Sequence, residues 1–335
     1  MKSILLGLLV FFGLQCALSP NVVTQTSGCQ LAYWTVTYFP GIIFPPWVFG
    51  CQGISTLWSC AYVPPNCPPP AGGSETHAQC PYCSKPISLA DGNTYIKQTD
   101  ITIPGLGGGL SLSRTWNSVW PATQTIYQVG LFGPNWRSSF EERIFVGADN
   151  YVKYARGDGS FWSFAGSNPL KVAAPANVSA TLVFGATNWT LTFQNGEQRV
   201  FSETSGNLIE IIDRNGNITQ LAYDSVGRLV TVTDPVSRTL SFTYAGPSSL
   251  LVTGVTSSAG PTVSYSYDSQ NRLLQVTEPD SSTLTFQYNS QSLITSVTDS
   301  QGKILEAHTY DSSGRGLTGS RANGVEAVTL SYGNP

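Results

Sequence analysis

From residue 201 onward, apolar and polar residues alternate in short runs, and each run closes on an aromatic residue. Leu240-Ser241-Phe242-Thr243-Tyr244, Val263-Ser264-Tyr265-Ser266-Tyr267 and Leu284-Thr285-Phe286-Gln287-Tyr288 are the clearest examples. Successive side chains of a strand point to opposite faces, so the apolar side chains of each run share one face and the polar ones take the other. The closing aromatics fall at Phe201, Tyr223, Tyr244, Tyr267, Tyr288, Tyr310 and Tyr332, at spacings of 22, 21, 23, 21, 22 and 22 residues. A period of this length marks a repeat architecture. Turn chemistry follows the aromatic, as in Asp224-Ser225-Val226-Gly227-Arg228, Asp268 to Arg272 and Asp311-Ser312-Ser313-Gly314-Arg315. There Asp can bond the backbone ahead and Gly can take a positive φ. Return strands are predicted at Leu229 to Thr233, Leu273 to Thr277 and Leu293 to Thr298, ending on Asp234, Glu278 or Asp299. Each repeat is one β-hairpin with a wet face and an apolar face, and such a hairpin gains stability by stacking on its neighbours.

Upstream, residues 84–200 carry strand-like runs at Thr94 to Ile103, Leu110 to Trp116, Glu142 to Val146, Tyr151 to Ala155 and Phe161 to Phe164. The last two are read as a hairpin closed by Gly157-Asp158-Gly159. Arg156-Gly157-Asp158 spells an adhesion tripeptide, but Gly and Asp are what a tight turn requires, so it is read as a turn. Cys29, Cys51, Cys60, Cys67, Cys80 and Cys83 fall together in residues 20–83, with a Pro-rich linker at 64–73. An even cysteine count behind an export leader favours disulfides, in a pairing that the spacing leaves open. Zinc is the weaker reading, because Cys80-Pro81-Tyr82-Cys83 with His77 supplies only one paired ligand element. Residues 1–19 read as a signal peptide, with Lys2 ahead of an apolar run from Ile4 to Leu14. Gln15 before Cys16 argues against a lipid anchor. The expected domains are therefore 1–19, 20–83, 84–200 and the repeats at 201–335.

Charged residues make only 11% of the chain and the formal net charge is -3, with 41% apolar residues. This excludes a disordered chain and gives nucleic acid no basic surface to bind. No segment after the leader is apolar enough for a membrane helix. The 33 Gly and 21 Pro punctuate short stretches rich in Thr, Ser, Val and aromatics, which points to an all-β fold.

Tyr223-Asp224-Ser225-Val226-Gly227-Arg228-Leu229 and Tyr267-Asp268-Ser269-Gln270-Asn271-Arg272-Leu273 resemble the YD repeats of the RHS family of secreted and surface proteins. Other copies depart from the pattern: Tyr244 is followed by Ala245, Tyr288 by Asn289, and Arg315 by Gly316. Pro86 to Asp100, then Leu110 to Asn117 with Arg114-Thr115-Trp116-Asn117, resembles the segment that precedes the repeats in that family. The resemblance spans roughly residues 84–332 and leaves the cysteine-rich front outside. It implies antiparallel hairpins stacked into a curved or spiralling sheet that forms part of a shell, in some members around a C-terminal toxin. The partner would then be a C-terminal region or effector absent from this chain. With about six repeats, the chain reads as truncated or as a short relative.

Catalysis finds little support in the residues. His77 and His308 are the only histidines, and His308 stands in the slot filled by Phe242, Tyr265 and Phe286, where a packed side chain is expected. Asp234 and Asp299 recur with the hairpin period and read as turn residues. Glu141 and Glu142 are neighbours that a strand would point to opposite faces. The expectation is an exported scaffold with no catalytic residue, cofactor or metal. The alternative is an adhesive surface whose exposed aromatics bind a cell-surface protein or glycan.

Overall fold

The computed structural model describes residues 87–88, 91–120, 128–147, 151–165, 172–175, 178–185, 187–321, 324 and 327–332, and the backbone alone of 19–24, 30–37, 51–54, 57–62 and 325–326. The chain divides into two units, Met1–Pro69 and Pro70–Pro335, with the division inside the expected Pro-rich linker. In the first unit, β1 (Ser19–Thr24), β2 (Gln30–Thr37), β3 (Cys51–Ile54) and β4 (Leu57–Tyr62) form an antiparallel sheet in the order β1-β2-β4-β3. Backbone register sets Cys51 opposite Cys60. Residues 1–18 of the expected leader, Cys29, Cys67, Cys80, Cys83 and His77 lie outside the described residues.

The second unit opens with β5 (Tyr95–Ile103), β6 (Leu110–Asn117), β7 (Val129–Gly130), β8 (Gly133–Pro134), β9 (Trp136–Ser138), β10 (Arg143–Val146), β11 (Val152–Ala155) and β12 (Phe161–Phe164). These make small antiparallel sheets, β5-β6-β9 and β10-β11-β12 among them. Between β5 and β6 lies a short 3-10 turn at Leu106–Gly108.

The rest is one sheet of 15 strands in sequence order. It runs through β13 (Ala180–Phe184), β14 (Asn188–Phe193), β15 (Gln198–Ser202), β16 (Leu208–Ile212), β17 (Ile218–Tyr223), β18 (Leu229–Thr233), β19 (Thr239–Tyr244) and β20 (Val252–Ser257). It continues through β21 (Thr262–Tyr267), β22 (Leu273–Thr277), β23 (Thr283–Tyr288), β24 (Ile294–Asp299), β25 (Ile304–Tyr310), β26 (Gly316–Arg321) and β27 (Val325–Thr329).

The predicted strands at Phe161–Phe164, Leu229–Thr233 and Leu273–Thr277 are present with those limits. One expected return strand begins a residue later, at Ile294, because the Leu293 N–H bonds Asn289 Oδ1 at 3.0 Å and stays in the turn. The large sheet also starts at Ala180, so it runs across the boundary expected at residue 200. Its first hairpin, β13 and β14, lacks the ladder tyrosine but keeps the alternation, with Leu182 and Leu191 buried.

Alternation sorts the faces as the polar and apolar pattern requires. In β19, Leu240 and Phe242 are buried while Ser241 and Thr243 are exposed, and β21 repeats this with Val263 and Tyr265 against Ser264 and Ser266. The apolar face is covered by the upstream strands. Phe132 lies against Tyr265 at 4.7 Å between ring centroids, Trp136 against Phe286 at 5.4 Å and Trp116 against Tyr310 at 6.3 Å. Rings at these separations and tilts attract beyond the area they bury. One continuous core therefore holds side chains of the upstream strands and of the repeats.

Truncating Phe286 to Ala should cost about 3–5 kcal/mol, as a large aromatic removed from a closed core does. Thr243→Ala, on the exposed face, should cost well under about 1 kcal/mol. Urea unfolding of the two variants checks the face assignment.

Candidate functional site: the tyrosine ladder and the buried Asp100 and Arg114 pair

Each ladder tyrosine from Tyr223 to Tyr310 coincides with a break in strand register. The pairing shifts between Ala222 and Tyr223, Thr243 and Tyr244, Ser266 and Tyr267, Gln287 and Tyr288, and Thr309 and Tyr310. Each break sets two residue steps on one strand against one on the other, which is a β-bulge. The tyrosine then stands opposite Leu229, Val252, Leu273, Ile294 or Gly316 of its own hairpin.

The hydroxyl of the next tyrosine donates to the carbonyl of that same residue. Tyr244 bonds Leu229 O at 2.6 Å, Tyr267 bonds Val252 O at 2.6 Å and Tyr288 bonds Leu273 O at 2.8 Å. Tyr310 bonds Ile294 O at 2.6 Å, Tyr332 bonds Gly316 O at 2.6 Å, and Tyr223 opens the series on Leu208 O at 2.8 Å. Consecutive ladder tyrosines are two strands apart, about 9.5 Å at the usual strand spacing, so they are linked through hydroxyl and backbone rather than ring on ring. The rings of Tyr223, Tyr244, Tyr267, Tyr288 and Tyr310 are partly buried against the core. Burial pushes their phenol pKa values up, which keeps the hydroxyls protonated as donors.

The residue after the tyrosine builds the turn. Asp224 Oδ1 accepts the N–H groups of Val226 and Arg228, and its Oδ2 takes the Arg228 Nε at 2.7 Å. Asp268 with Arg272 and Asp311 with Arg315 repeat the pair at 2.7 Å. The N–H of Arg228 is the main reason that the Asp224 carboxyl sits below its ordinary range, with its guanidinium adding to the effect. The arginine then reaches forward and lies over the next ladder ring: Arg228 on Tyr244 at 4.5 Å, Arg272 on Tyr288 at 4.7 Å and Arg315 on Tyr332 at 4.2 Å. Gly227 and Gly314 take positive φ of 84° and 80°, and Asn271 fills the same turn position at 61°.

The departures from the repeat pattern have local causes. Asn289 keeps the turn by accepting the Gln291 and Leu293 N–H groups, although no arginine follows it. The longer turn after Ala245 is held by Arg228 of the preceding repeat, whose Nη1 donates to Gly246 O and Ser249 O. Gly316 stands where leucine is usual because the upstream segment packs there: a Cβ would come within 2.4 Å of Thr94 Oγ1 and 2.8 Å of Ile87 Cδ1.

Upstream carbonyls are stitched into the same row of bulges. Val252 N–H donates to Leu131 O at 2.9 Å, Gly316 N–H to Gly92 O at 2.8 Å and Leu208 N–H to Glu142 O at 3.3 Å. The joint also carries charges that the sequence pattern did not single out. Asp100 is the extra residue of a bulge in β5, between Thr99 and Ile101, which turns its carboxylate inward. Arg114 of β6 is fully buried, and its Nε bonds Asp100 Oδ2 at 2.8 Å. Tyr265 of the repeat sheet donates its hydroxyl to the same oxygen at 2.7 Å. The guanidinium lies 4.8 Å from the Trp136 ring and 5.5 Å from that of Phe286. Burial is the largest single influence and opposes its charge, but the charge and hydrogen bond of Asp100, with Tyr265 and Glu278, together outweigh it and the Arg114 pKa is raised. The available signal was an arginine in the inward alternation Leu110, Leu112, Arg114, Trp116.

Other candidate groups are consumed in structure. Glu141 and Glu142 precede β10 rather than lying within a strand. Glu141 accepts the N–H groups of Leu131 and Ser138, while Glu142 accepts the Tyr154 hydroxyl at 2.6 Å and Arg199 Nε at 3.2 Å. His308 is buried in its inward slot with Nε2 at 3.3 Å from Glu306. Arg156-Gly157-Asp158 forms a turn, with Arg156 ion-paired to Asp158 at 3.5 Å, and lines a cleft of about 510 Å³. Among the described residues, no three His, Cys, Asp or Glu side chains converge as a metal site, and no helix is long and apolar enough to cross a membrane. The same residues expose no Trp, Tyr or Phe ring.

Tyr244→Phe should remove one inter-repeat bond and cost about 0.5–1.5 kcal/mol. Asp100→Ala strands the buried Arg114 charge and should cost about 3–5 kcal/mol. Denaturant titration of both variants separates the two roles, and equal losses would contradict the assignment of Asp100 to the joint.

Two family descriptions match the chain. "Domain of unknown function (DUF6531)" covers residues 84–164, and "Teneurin YD-shell" covers residues 188–323. Among curated proteins, tRNA nuclease WapA of Bacillus subtilis (strain 168) and tRNA3(Ser)-specific nuclease WapA of Bacillus spizizenii are each 27% identical over 143 residues. The match takes in 43% of this chain and 6% of either relative. Among solved structures, the crystal structure of TcdB2-TccC3 aligns at 12% identity and a TM-score of 0.28, over 68% of this chain and 15% of that one. A Tc holotoxin pore of Photorhabdus luminescens aligns at 11% identity and a TM-score of 0.29, over 68% and 14%. With Tyr-Asp standing at the bulges of residues 223, 267 and 310, and the two family matches at residues 84–164 and 188–323, the chain is an RHS/YD-repeat protein.

Proposed function

We propose that this chain is a non-enzymatic, exported wall segment of an RHS-type β-shell, acting in the enclosure or presentation of a C-terminal effector of the polymorphic-toxin kind. The observation that carries the reading is the repeated bond from each tyrosine hydroxyl to the bulge carbonyl before it, which joins hairpin to hairpin by one rule. Such a rule extends a surface by adding one hairpin at a time. The acids and bases around the ladder and the joint are spent on turns, ion pairs and backbone N–H groups.

The nuclease relatives share a stretch that is 6% of their length, so their activity on tRNA is not carried to this chain by that stretch. Binding of a glycan or cell-surface protein through exposed rings has less support, because the described aromatics are spent in packing. Export rests on the leader at residues 1–19 and on the disulfides expected in residues 20–83.

The test has two arms. The purified chain incubated with tRNA should leave it intact, and cleavage that scales with protein concentration would contradict the non-enzymatic reading. Limited proteolysis of the gene product with its native downstream sequence should spare the C-terminal segment until denaturant is added. A tail cut at the same rate before and after denaturation would remove the enclosing role.

A further inference from the structure

In the first unit, the pairing of β3 with β4 is continuous from Ile54 opposite Leu57, through Gly53 opposite Trp58 and Gln52 opposite Ser59, to Cys51 opposite Cys60. Opposed residues of an antiparallel pair alternate between those that exchange both N–H···O bonds and those that exchange none. Only Ser55 and Thr56 separate Ile54 from Leu57, so no inner pair exists to carry the bonds and these two must exchange both. Counting back along the register, Gly53 and Trp58 exchange none, Gln52 and Ser59 exchange both, and Cys51 and Cys60 exchange none.

That phase brings the two cysteines to the closer of the two antiparallel spacings, with Cα atoms about 4.5 Å apart. A disulfide spans Cα separations of about 4.4–6.8 Å, so the backbone has no need to move to be bridged. Directly opposed residues also share one face of the sheet. Trp34 of β2 stands opposite Cys60 on its other side, so Cys51, Cys60 and Trp34 form one row across three strands.

We propose that Cys51 and Cys60 form a disulfide that fastens the outer strand β3 to β4. In the order β1-β2-β4-β3, β3 comes last, next to β4. An outer strand is paired along one side alone, and a covalent tie at its first residue fixes it in register. The pairing that the spacing leaves open is then confined to Cys29, Cys67, Cys80 and Cys83. As the Sγ–Sγ bond forms, the two thiols lose two protons and two electrons. A disulfide oxidant such as oxidised glutathione takes these up and leaves as two thiols, by way of a mixed disulfide with one of the two cysteines. In the producing cell, access to such an oxidant rests on the export reading given above.

The test supplies the oxidant in vitro. The purified full chain is reduced, oxidised in a mixture of reduced and oxidised glutathione, alkylated at its free thiols and digested with chymotrypsin. Cleavage after Phe49, Leu57, Trp58 and Tyr62 separates residues 50–57 from 59–62, each with one of the two cysteines. Mass spectrometry should find these two peptides joined as the main species, and parted by reductant. Alkylated Cys51 and Cys60, or either one bridged mainly to another cysteine, would overturn the proposal. Short loops close readily even in an unfolded chain, so the oxidation is repeated in concentrated urea, where the yield of the joined peptides should fall severalfold as pairing spreads to the other cysteines. An undiminished yield would make chain proximity its cause and overturn the role of the register. Failure in vitro is a failure of the pairing, whereas a bridge that forms in vitro and is absent from protein recovered from its producing cells counts against export alone.

Discussion

An antiparallel sheet with one apolar face has to cover that face, and here the cover comes from the same chain. Val255, Val276, Phe286 and Val297 are almost completely buried on the repeat side, while Leu112, Trp116, Phe132 and Trp136 are equally buried on the upstream side. The two sets form one core, so neither layer keeps its apolar surface from water without the other. Other features of the second unit follow from this. Gly316 is small because Ile87 and Thr94 occupy the space, and the Leu131, Gly92 and Glu142 carbonyls, just outside the upstream strands, accept the N–H groups of Val252, Gly316 and Leu208. The Asp100, Arg114 and Tyr265 cluster spans the two layers. A buried ion pair adds little net stability over apolar residues of the same volume, but breaking it is costly, so this one acts chiefly as a register mark for the joint.

Along the sheet the constraint is different. Each bulge disturbs the ladder of backbone bonds, and the next tyrosine hydroxyl bonds the carbonyl at the disturbance. The aspartate beside the tyrosine closes the turn, and its arginine lies on the following tyrosine ring. Tyrosine, aspartate and arginine thus each contact a different part of the hairpin pair, which accounts for their spacing as one motif. Where the arginine is missing, as after Asn289, the turn survives and the link across rings is lost.

The hairpins were legible because alternation and turn chemistry are local. Tyr223, Tyr267 and Asp268 could be assigned from residues within five positions of each. The hydroxyl acceptors were not legible, since a bond from Tyr244 to Leu229 depends on a bulge that no residue type announces. The role of Arg114 was not legible in its motif, because Asp100 is 14 positions from Arg114, and Tyr265, which shares that carboxylate, is 165 positions from Asp100, beyond any local pattern. The opening of the sheet at Ala180 was hidden for a simpler reason: β13 and β14 alternate like the repeats but carry Phe184 and Trp189 in place of the ladder tyrosine.

The central claim is that upstream strands and repeats share one core and open together. Native-state hydrogen exchange on the full chain measures this directly. Slowly exchanging amides of β5, β6 and β9 should open with the same free energy as those of β19 to β24, and that value should move in step as urea is added. If the upstream strands exchange through a separate opening of lower energy while the repeats stay protected, the repeat sheet stands without its cover and the account is wrong.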